Sequence, residues 1–272
     1  MTDNALIHWN VSPILIELGP FALRWYGVFF AVAFLVGYRI MEWIYRREGE
    51  PTTALDGLLV YVMAGTLIGA RLGHCFLYDP VYYISHPIEI LQFWKGGLAS
   101  HGGVFGLLLS VFWYTRRAGR PPYPWLLDRL AIPAALGGCF IRVGNFFNSE
   151  IVGVPTNGWW AVVFEKLDSV PRHAVQLYEA VAYLLVFVVL LSAYRRGTGT
   201  RAGALAGIFF TSVFFVRLGL EFVKMPQAAY ETDFSFRVGQ WLSVPLAGVG
   251  LVLLAYAYLN EPRYGHARKG SP

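Results

Sequence analysis

Charge is scarce in this sequence. Asp, Glu, Lys and Arg make up 14% of the 272 residues, where a soluble domain carries about 25%. That shortfall, with a mean hydropathy of +0.48, excludes a soluble nucleic-acid binder and a disordered scaffold, although the formal net charge is +5. Cysteine is nearly absent. Cys75 and Cys139 both lie in apolar runs, which excludes a disulfide framework and a zinc-ligand spacing and leaves two small core residues. No Gly/Ser linker and no repeat of about 20–50 residues divides the chain, so a single domain over residues 1–272 is expected. Lys and Arg are missing from residues 1–19, and without a basic n-region a cleaved signal peptide is not expected.

What is abundant is apolar and aromatic. Phe, Trp and Tyr reach 17%, as befits rings placed at membrane interfaces. Windows of about 20 mainly apolar residues, the length a transmembrane helix needs, occur at 20–43, 54–77, 98–115, 124–147, 174–194, 202–223 and 238–259. The third is short, and the fourth carries Asp128, Arg129 and Arg142. The expected fold is an all-α integral membrane protein with seven transmembrane helices. Alternate connections hold Arg46/Arg47, Arg116/Arg117/Arg120, Arg195/Arg196/Arg201 and Arg263/Arg268/Lys269, against only Lys95, Lys166, Arg172, Lys224 and Arg237 in the others. The positive-inside bias then puts the N-terminus outside and the C-terminus in the cytoplasm. The external segments 78–97 and 148–173 are long enough for short interfacial helices.

Six arginines remain within the spans: Arg24, Arg39, Arg71, Arg129, Arg142 and Arg217. Arg39 and Arg129 fall near cytoplasmic ends, where snorkelling to water is the ordinary account. The other four lie within about 10 Å of the outer ends of four different spans, at 1.5 Å per residue, and His101 enters the third span at the same level. An ionised side chain in hydrocarbon costs about 2.5–3.5 kcal/mol. Snorkelling and pairing explain any one of them. Glu221 stands four residues after Arg217, on its face, but the other arginines have no obvious carboxylate in their own spans. A layer of such guanidinium groups suits phosphate oxygens, and the anion at hand in an outer leaflet is a phospholipid head group.

Polar neighbours fit the same reading. Asn145 and Asn148 share a helical face, and amides in lipid need partners on other helices or on a ligand. Gly144 and Gly153 remove side chains where a neighbour or ligand can approach, and Gly102 and Gly103 leave space beside His101. A span histidine is commonly a hydrogen-bonded core group. Beside arginines its charged form is disfavoured, which keeps it a neutral base.

The strings Arg24-Trp25-Tyr26-Gly27, Gly69-Ala70-Arg71-Leu72-Gly73 and Gly96-Gly97-Leu98-Ala99-Ser100-His101-Gly102-Gly103 stand in order along the chain. They are followed by Arg142-Val143-Gly144-Asn145-Phe146-Phe147-Asn148-Ser149-Glu150 with Gly153, then Arg172-His173, Gln176-Leu177-Tyr178-Glu179-Ala180, Arg217 with Glu221, and Gly239-Gln240-Trp241-Leu242-Ser243. In these the sequence resembles the bacterial prolipoprotein diacylglyceryl transferase family, nearly end to end.

The resemblance implies a plasma-membrane enzyme acting toward the external side. Such an enzyme moves the sn-1,2-diacylglyceryl group from phosphatidylglycerol to the lipobox cysteine thiol of a preprolipoprotein. The products are a thioether and glycerol 1-phosphate. It implies His101 as base, Arg142 and Arg217 as phosphate clamp, and Glu221 as the group that orients Arg217. Tyr26, Arg71, Gly102, Asn145, Asn148, Glu150 and Gly153 bind or shape the lipid site. No metal or other cofactor is expected, nor a nucleic-acid partner, and the chain is expected to act as a monomer.

The sequence departs from the family pattern at Ile141 (usually Gly), Val213 (usually Tyr), Lys224 (usually Arg) and Ala174-Val175 (usually Pro-Ser). These departures leave open a paralogue with another lipid donor. A transporter or flippase for an anionic solute is the rival reading, and it predicts inverted repeats or broken spans that the sequence does not display. A scaffold binding anionic lipids is the other, and it leaves the outer cluster with His101 unexplained.

Overall fold

The computed structural model describes residues 7–19, 21–77, 79–92, 97–225, 238–261 and 264. Gly96, Lys95, Arg237, Arg263, Arg268 and Lys269 lie outside the described residues. The helices are α1 (Trp25–Glu48), α2 (Leu55–Leu77), α3 (Pro80–Ser85), α4 (Pro87–Ile90), α5 (Ser100–Thr115), α6 (Tyr123–Phe147), α7 (Val175–Arg195), α8 (Ala204–Leu220) and α9 (Val238–Leu259). Among the described residues five short strands accompany them: β1 (Ile7–Trp9), β2 (Ile14–Leu18), β3 (Phe21–Arg24), β4 (Val162–Phe164) and β5 (Pro171–Arg172). Six helices among the described residues are long and apolar enough to cross a membrane. The seventh expected span is α5, whose 16 residues reach about 24 Å at 1.5 Å each, short of a hydrocarbon core of about 30 Å.

The first span begins later than the sequence suggested. Residues 21–24 pair antiparallel with β2 around a turn in which Gly19 takes φ 60°, so Arg24 closes a strand and is exposed. Segment 78–97 holds the two short helices α3 and α4. Segment 148–173, long enough for a short interfacial helix, instead supplies β4 and β5 to a small sheet. There β1 runs parallel to β4, and β4 antiparallel to β5. Val162 and Phe164 face a core of Phe146, Val152 and Ala174, with Trp9, Phe147 and Leu177 packed on it. Alternating β-branched and aromatic residues favour that pleated surface over a helix.

By its contacts the chain forms two compact units, one from residues up to Ile40 together with those from Leu127 onward, the other from Met41–Leu126. In the first unit, Asp128 accepts hydrogen bonds from the Gly203 and Ala206 amides at 2.7 and 2.9 Å. It thereby satisfies two of the N–H groups that the start of α8 leaves without helical partners. Arg129, read as a snorkelling side chain, is only 2% exposed and lies 5.1 Å from the Tyr264 ring. An aromatic face is one of the groups that meet its charge inside the protein, with the carboxylate of neighbouring Asp128 another.

In the second unit, α2 and α5 meet along glycines. A Cβ on Gly69 would fall on the Gly102 carbonyl, and one on Gly106 on the Gly65 carbonyl. Such small-residue stripes let helix backbones touch where no hydrophobic effect drives association in lipid. Gly102, read as leaving space beside His101, therefore serves this helix contact. Arg71 lies in the same unit. Its guanidinium donates to the carbonyls of Ile90 (2.9 Å), Glu89 (2.5 Å) and Gly97 (3.2 Å) and stacks on Tyr83. It ties α2 to the loop that leads into α5.

Candidate active site

The first unit gathers most of the residues singled out by sequence. The last turns of α6 carry Arg142 and Asn145. After α6 the backbone passes through the left-handed region twice, at Ser149 (φ 55°) and Ile151 (φ 57°). For β-branched Ile151 this is a strained conformation, and it turns Glu150 back toward the helix end. The Glu150 amide donates to the Asn145 carbonyl at 3.0 Å. Its carboxylate accepts from both amides: Asn145 Nδ2 to Oε2 at 3.3 Å and Asn148 Nδ2 to Oε1 at 3.2 Å. The shared helical face read from the sequence thus has a common acceptor.

Arg142 is where the structure departs furthest from the sequence reading. Its Nε lies 2.8 Å from Glu179 Oε2 on α7, and its Nη1 donates to Asn145 Oδ1 at 3.2 Å. Glu179 is fully buried. Its other oxygen accepts from Lys224 Nζ at 2.8 Å, and the same ammonium lies 3.5 Å from Glu221 Oε2. Arg217 faces Tyr183, Glu179 and Glu221. One carboxylate therefore collects cations from α6, α8 and the segment after α8.

The surroundings fix these groups. Gln176 donates to the Glu150 carbonyl at 2.6 Å. Residues 152–154 pair with 223–225: the Val154 amide donates to Val223 and the Met225 amide to Val152, at 2.9 and 3.1 Å. That pairing places Lys224. Gly153 has no room for a side chain, because a Cβ would fall 2.6 Å from His173 and Val175. Gly144 lets Tyr26 lie against α6, where a Cβ would sit 2.9 Å from the ring; Tyr26 neighbours both Glu150 and Arg142. Gly239 leaves room for the Glu221 carboxylate in the same way.

Three cations, Arg142, Arg217 and Lys224, share two buried carboxylates, Glu179 and Glu221. Glu150 is exposed, so solvent screens it. The buried group carries one positive charge more than it neutralises. Such a network holds its guanidinium groups in place in low dielectric, and the surplus charge suits a monoanionic phosphodiester.

Not every expected residue joins this group. His101 opens α5, is exposed, and belongs to the second unit, as do Arg71 and Gly102. Two members of the network were missed as such. Glu179 appeared only within a family string, and Lys224 only as a connection residue and as a departure from the family pattern. The available signal was that Glu179 is the single acid in the apolar stretch 175–195. Among the described residues no group of three or more His, Cys, Asp or Glu is arranged to hold a metal ion.

A multi-pass membrane protein that buries a cation-rich network at the ends of its spans is the class these features define. The chain belongs to the prolipoprotein diacylglyceryl transferase family, whose profile matches residues 13–256. It is 54% identical over 258 residues to the phosphatidylglycerol–prolipoprotein diacylglyceryl transferase of Tolumonas auensis, covering 95% of this chain and 100% of that protein. The protein of the same name from Chloroherpeton thalassium is 48% identical over 255 residues (93% and 95% covered). That of Bacteroides fragilis is 37% identical over 263 residues (92% and 95% covered).

Proposed function

We propose that this protein transfers the sn-1,2-diacylglyceryl group from phosphatidylglycerol to the lipobox cysteine of a preprolipoprotein. Family membership over most of the chain supports the reaction. The observation that carries it to particular atoms is the three-cation, two-carboxylate network of Arg142, Arg217, Lys224, Glu179 and Glu221.

In this reading the cysteine thiol first gives up its proton, because a free thiol with a pKa near 8.5 is mostly protonated at neutrality. The thiolate attacks the glycerol C3 carbon, the C3–O bond breaks, and its electron pair leaves on the phosphate as glycerol 1-phosphate. Arg142 and Arg217 hold that phosphate as charge accumulates on it, so their preset positions lower the barrier. Glu221 and Glu179 orient the cations. Tyr26, Asn145, Asn148, Glu150 and Gly153 shape the head-group region around them. His101 accepts the thiol proton, a role drawn from the family likeness of Ser100-His101-Gly102-Gly103, and Arg71 and Gly102 support the segment that carries it.

The chain is a single polytopic domain with α5 as a seventh span, its N-terminus outside and its C-terminus cytoplasmic. It works as a monomer in the bacterial plasma membrane, with its site toward the external side. The arginine bias of alternate connections supports this orientation.

The test uses purified protein, phosphatidylglycerol and a lipobox peptide, with diacylglyceryl-peptide detected by mass spectrometry. Product is expected with the cysteine peptide and not with its Cys→Ser form. Arg142→Ala is expected to abolish turnover; full turnover removes the clamp. His101→Gln is expected to change the pH profile of the rate, and an identical profile removes the imidazole as base.

A further inference from the structure

Glu150 is an exposed carboxylate set among buried groups, and the transfer chemistry assigns no contact to its oxygens. Asn145 and Asn148 donate to it at 3.3 and 3.2 Å, which fixes the carboxylate without neutralising it. Asn145 is itself oriented from the other side, because its Oδ1 accepts from Arg142 Nη1 at 3.2 Å. Arg142 and Glu150 therefore stand one side-chain amide apart, a cation and an anion at a set spacing. Arg142 uses Nε on Glu179 and Nη1 on Asn145, and its Nη2 has no hydrogen-bond partner among the described residues.

The groups around Glu150 are short of donors. Gln176 is fully buried and donates Nε2 to the Glu150 carbonyl at 2.6 Å, while its Oε1 has no partner among the described residues. Asn148 Oδ1 and Ser149 Oγ are buried without partners as well. A buried oxygen left without a hydrogen bond is costly. Three of them on residues that bond or adjoin Glu150 mark a place for a ligand that brings donors. An ionised phosphodiester brings none. An ammonium brings donors together with a positive charge, which the surplus cations one amide away oppose. Neutral hydroxyls meet both conditions. Two of them on adjacent carbons can reach both oxygens of one carboxylate, and each such bond is charge-assisted.

Resting on the transferase reading for the identity of the lipid, we propose that Glu150 determines head-group specificity. Its carboxylate receives the two hydroxyls of the donor's glycerol head group while Arg142 holds the phosphate. Asn145 sets the spacing between the two contacts, and Gln176, Asn148 and Ser149 supply further oxygens around the diol.

The experiment compares phosphatidylglycerol with phosphatidylpropanol, which keeps the charge, the acyl chains and the carbon count of the head group and lacks both hydroxyls. Protein stripped of lipid is exposed to the two at equal concentration and washed, and the retained lipid is identified by native mass spectrometry. Wild type is expected to enrich phosphatidylglycerol about ten-fold, the lower end of what hydrogen bonds to a charged group discriminate, because solvent reaches Glu150. Glu150→Ala is expected to bring the ratio to about one, and its retention of phosphatidylpropanol to stay within about two-fold of wild type. Glu150→Gln is expected to fall between; if Glu150→Ala does not fold, this variant decides, and a ratio equal to that of wild type overturns the proposal. Equal retention of the two lipids by wild type overturns it, as does enrichment that survives Glu150→Ala. Loss of both lipids alike in Glu150→Ala also overturns it, because the carboxylate then only braces the loop. Transfer to the lipobox peptide is measured in parallel with each lipid. Selective retention by wild type without transfer from either lipid overturns the reaction and leaves the head-group contact standing. Transfer from both lipids at equal kcat/KM overturns the contact and leaves the reaction standing.

Discussion

Glu179 is the residue on which the site turns. A buried carboxylate 2.8 Å from both Arg142 and Lys224 cannot be removed alone without leaving cations unpaired in a dry interior, at a cost of about 3–5 kcal/mol. Glu179→Gln is therefore expected to lower the midpoint of thermal unfolding in detergent and to slow transfer at least ten-fold. Pairing it with Lys224→Met removes a charge of each sign. Stability of the double variant is expected to recover above that of Glu179→Gln, while transfer stays slow because Arg142 is still unheld. A double-mutant cycle read on both unfolding and turnover separates the two effects.

The same scale offers a pH test away from the spans. Arg172 bonds Asp168 at 2.5 Å and holds its carboxyl below the usual carboxylate range. A depressed acid contributes stability that is present above its unfolded pKa and is lost as pH falls through the folded one. Protection of residues 168–170 and 172 against hydrogen exchange, taken relative to the intrinsic rate at each pH, is expected to fall below the ordinary carboxylate range in wild type. In Asp168→Asn that protection is expected to be low at every pH tested.

Among the elements, the α2–α5 pair and the α1–α6 pair make opposite use of glycine. Gly106→Ala drives a Cβ into the Gly65 carbonyl, and overpacking of this kind costs about 1–3 kcal/mol. Gly37→Ala in α1 places its methyl 3.5 Å from the Pro133 Cβ, an ordinary contact. It also removes the backbone-entropy cost of glycine in a helix, about 0.5–1 kcal/mol. The unfolding midpoint is expected to fall in the first variant and to hold or rise in the second. Both glycines look alike in the sequence, since each sits in an apolar run. Helix positions were legible because a run of about 20 apolar residues has few other fates. The strand β3 and the small sheet of β1, β4 and β5 were not. Short alternating segments beside aromatic clusters read equally well as the ends of helices or as interfacial turns.

Across the whole molecule, the count of spans decides on which side each end lies. Six crossings return the chain to the side where it started, and seven do not. With α5 as a crossing, a cysteine placed at Ser12 is expected to react in intact cells with a membrane-impermeant maleimide. One placed at Arg196 is expected to react only after permeabilisation. Labelling of both positions in intact cells would remove α5 from the list of spans.

Membrane class, the places of most spans and the presence of charges out of place were determined by the sequence by itself, because apolar length and the cost of burying a charge are properties of residue types. It also brought His101, Arg142, Asn145, Arg217 and Glu221 forward, through charge position and through likeness to a family. Pairing between residues far apart in the chain was decided only by the tertiary structure. Arg71 met backbone carbonyls, Arg129 met an aromatic ring, and Arg142 met a glutamate on another helix. Coulomb attraction acts across space between helices far apart in the chain, so spacing along one helix carries no record of it.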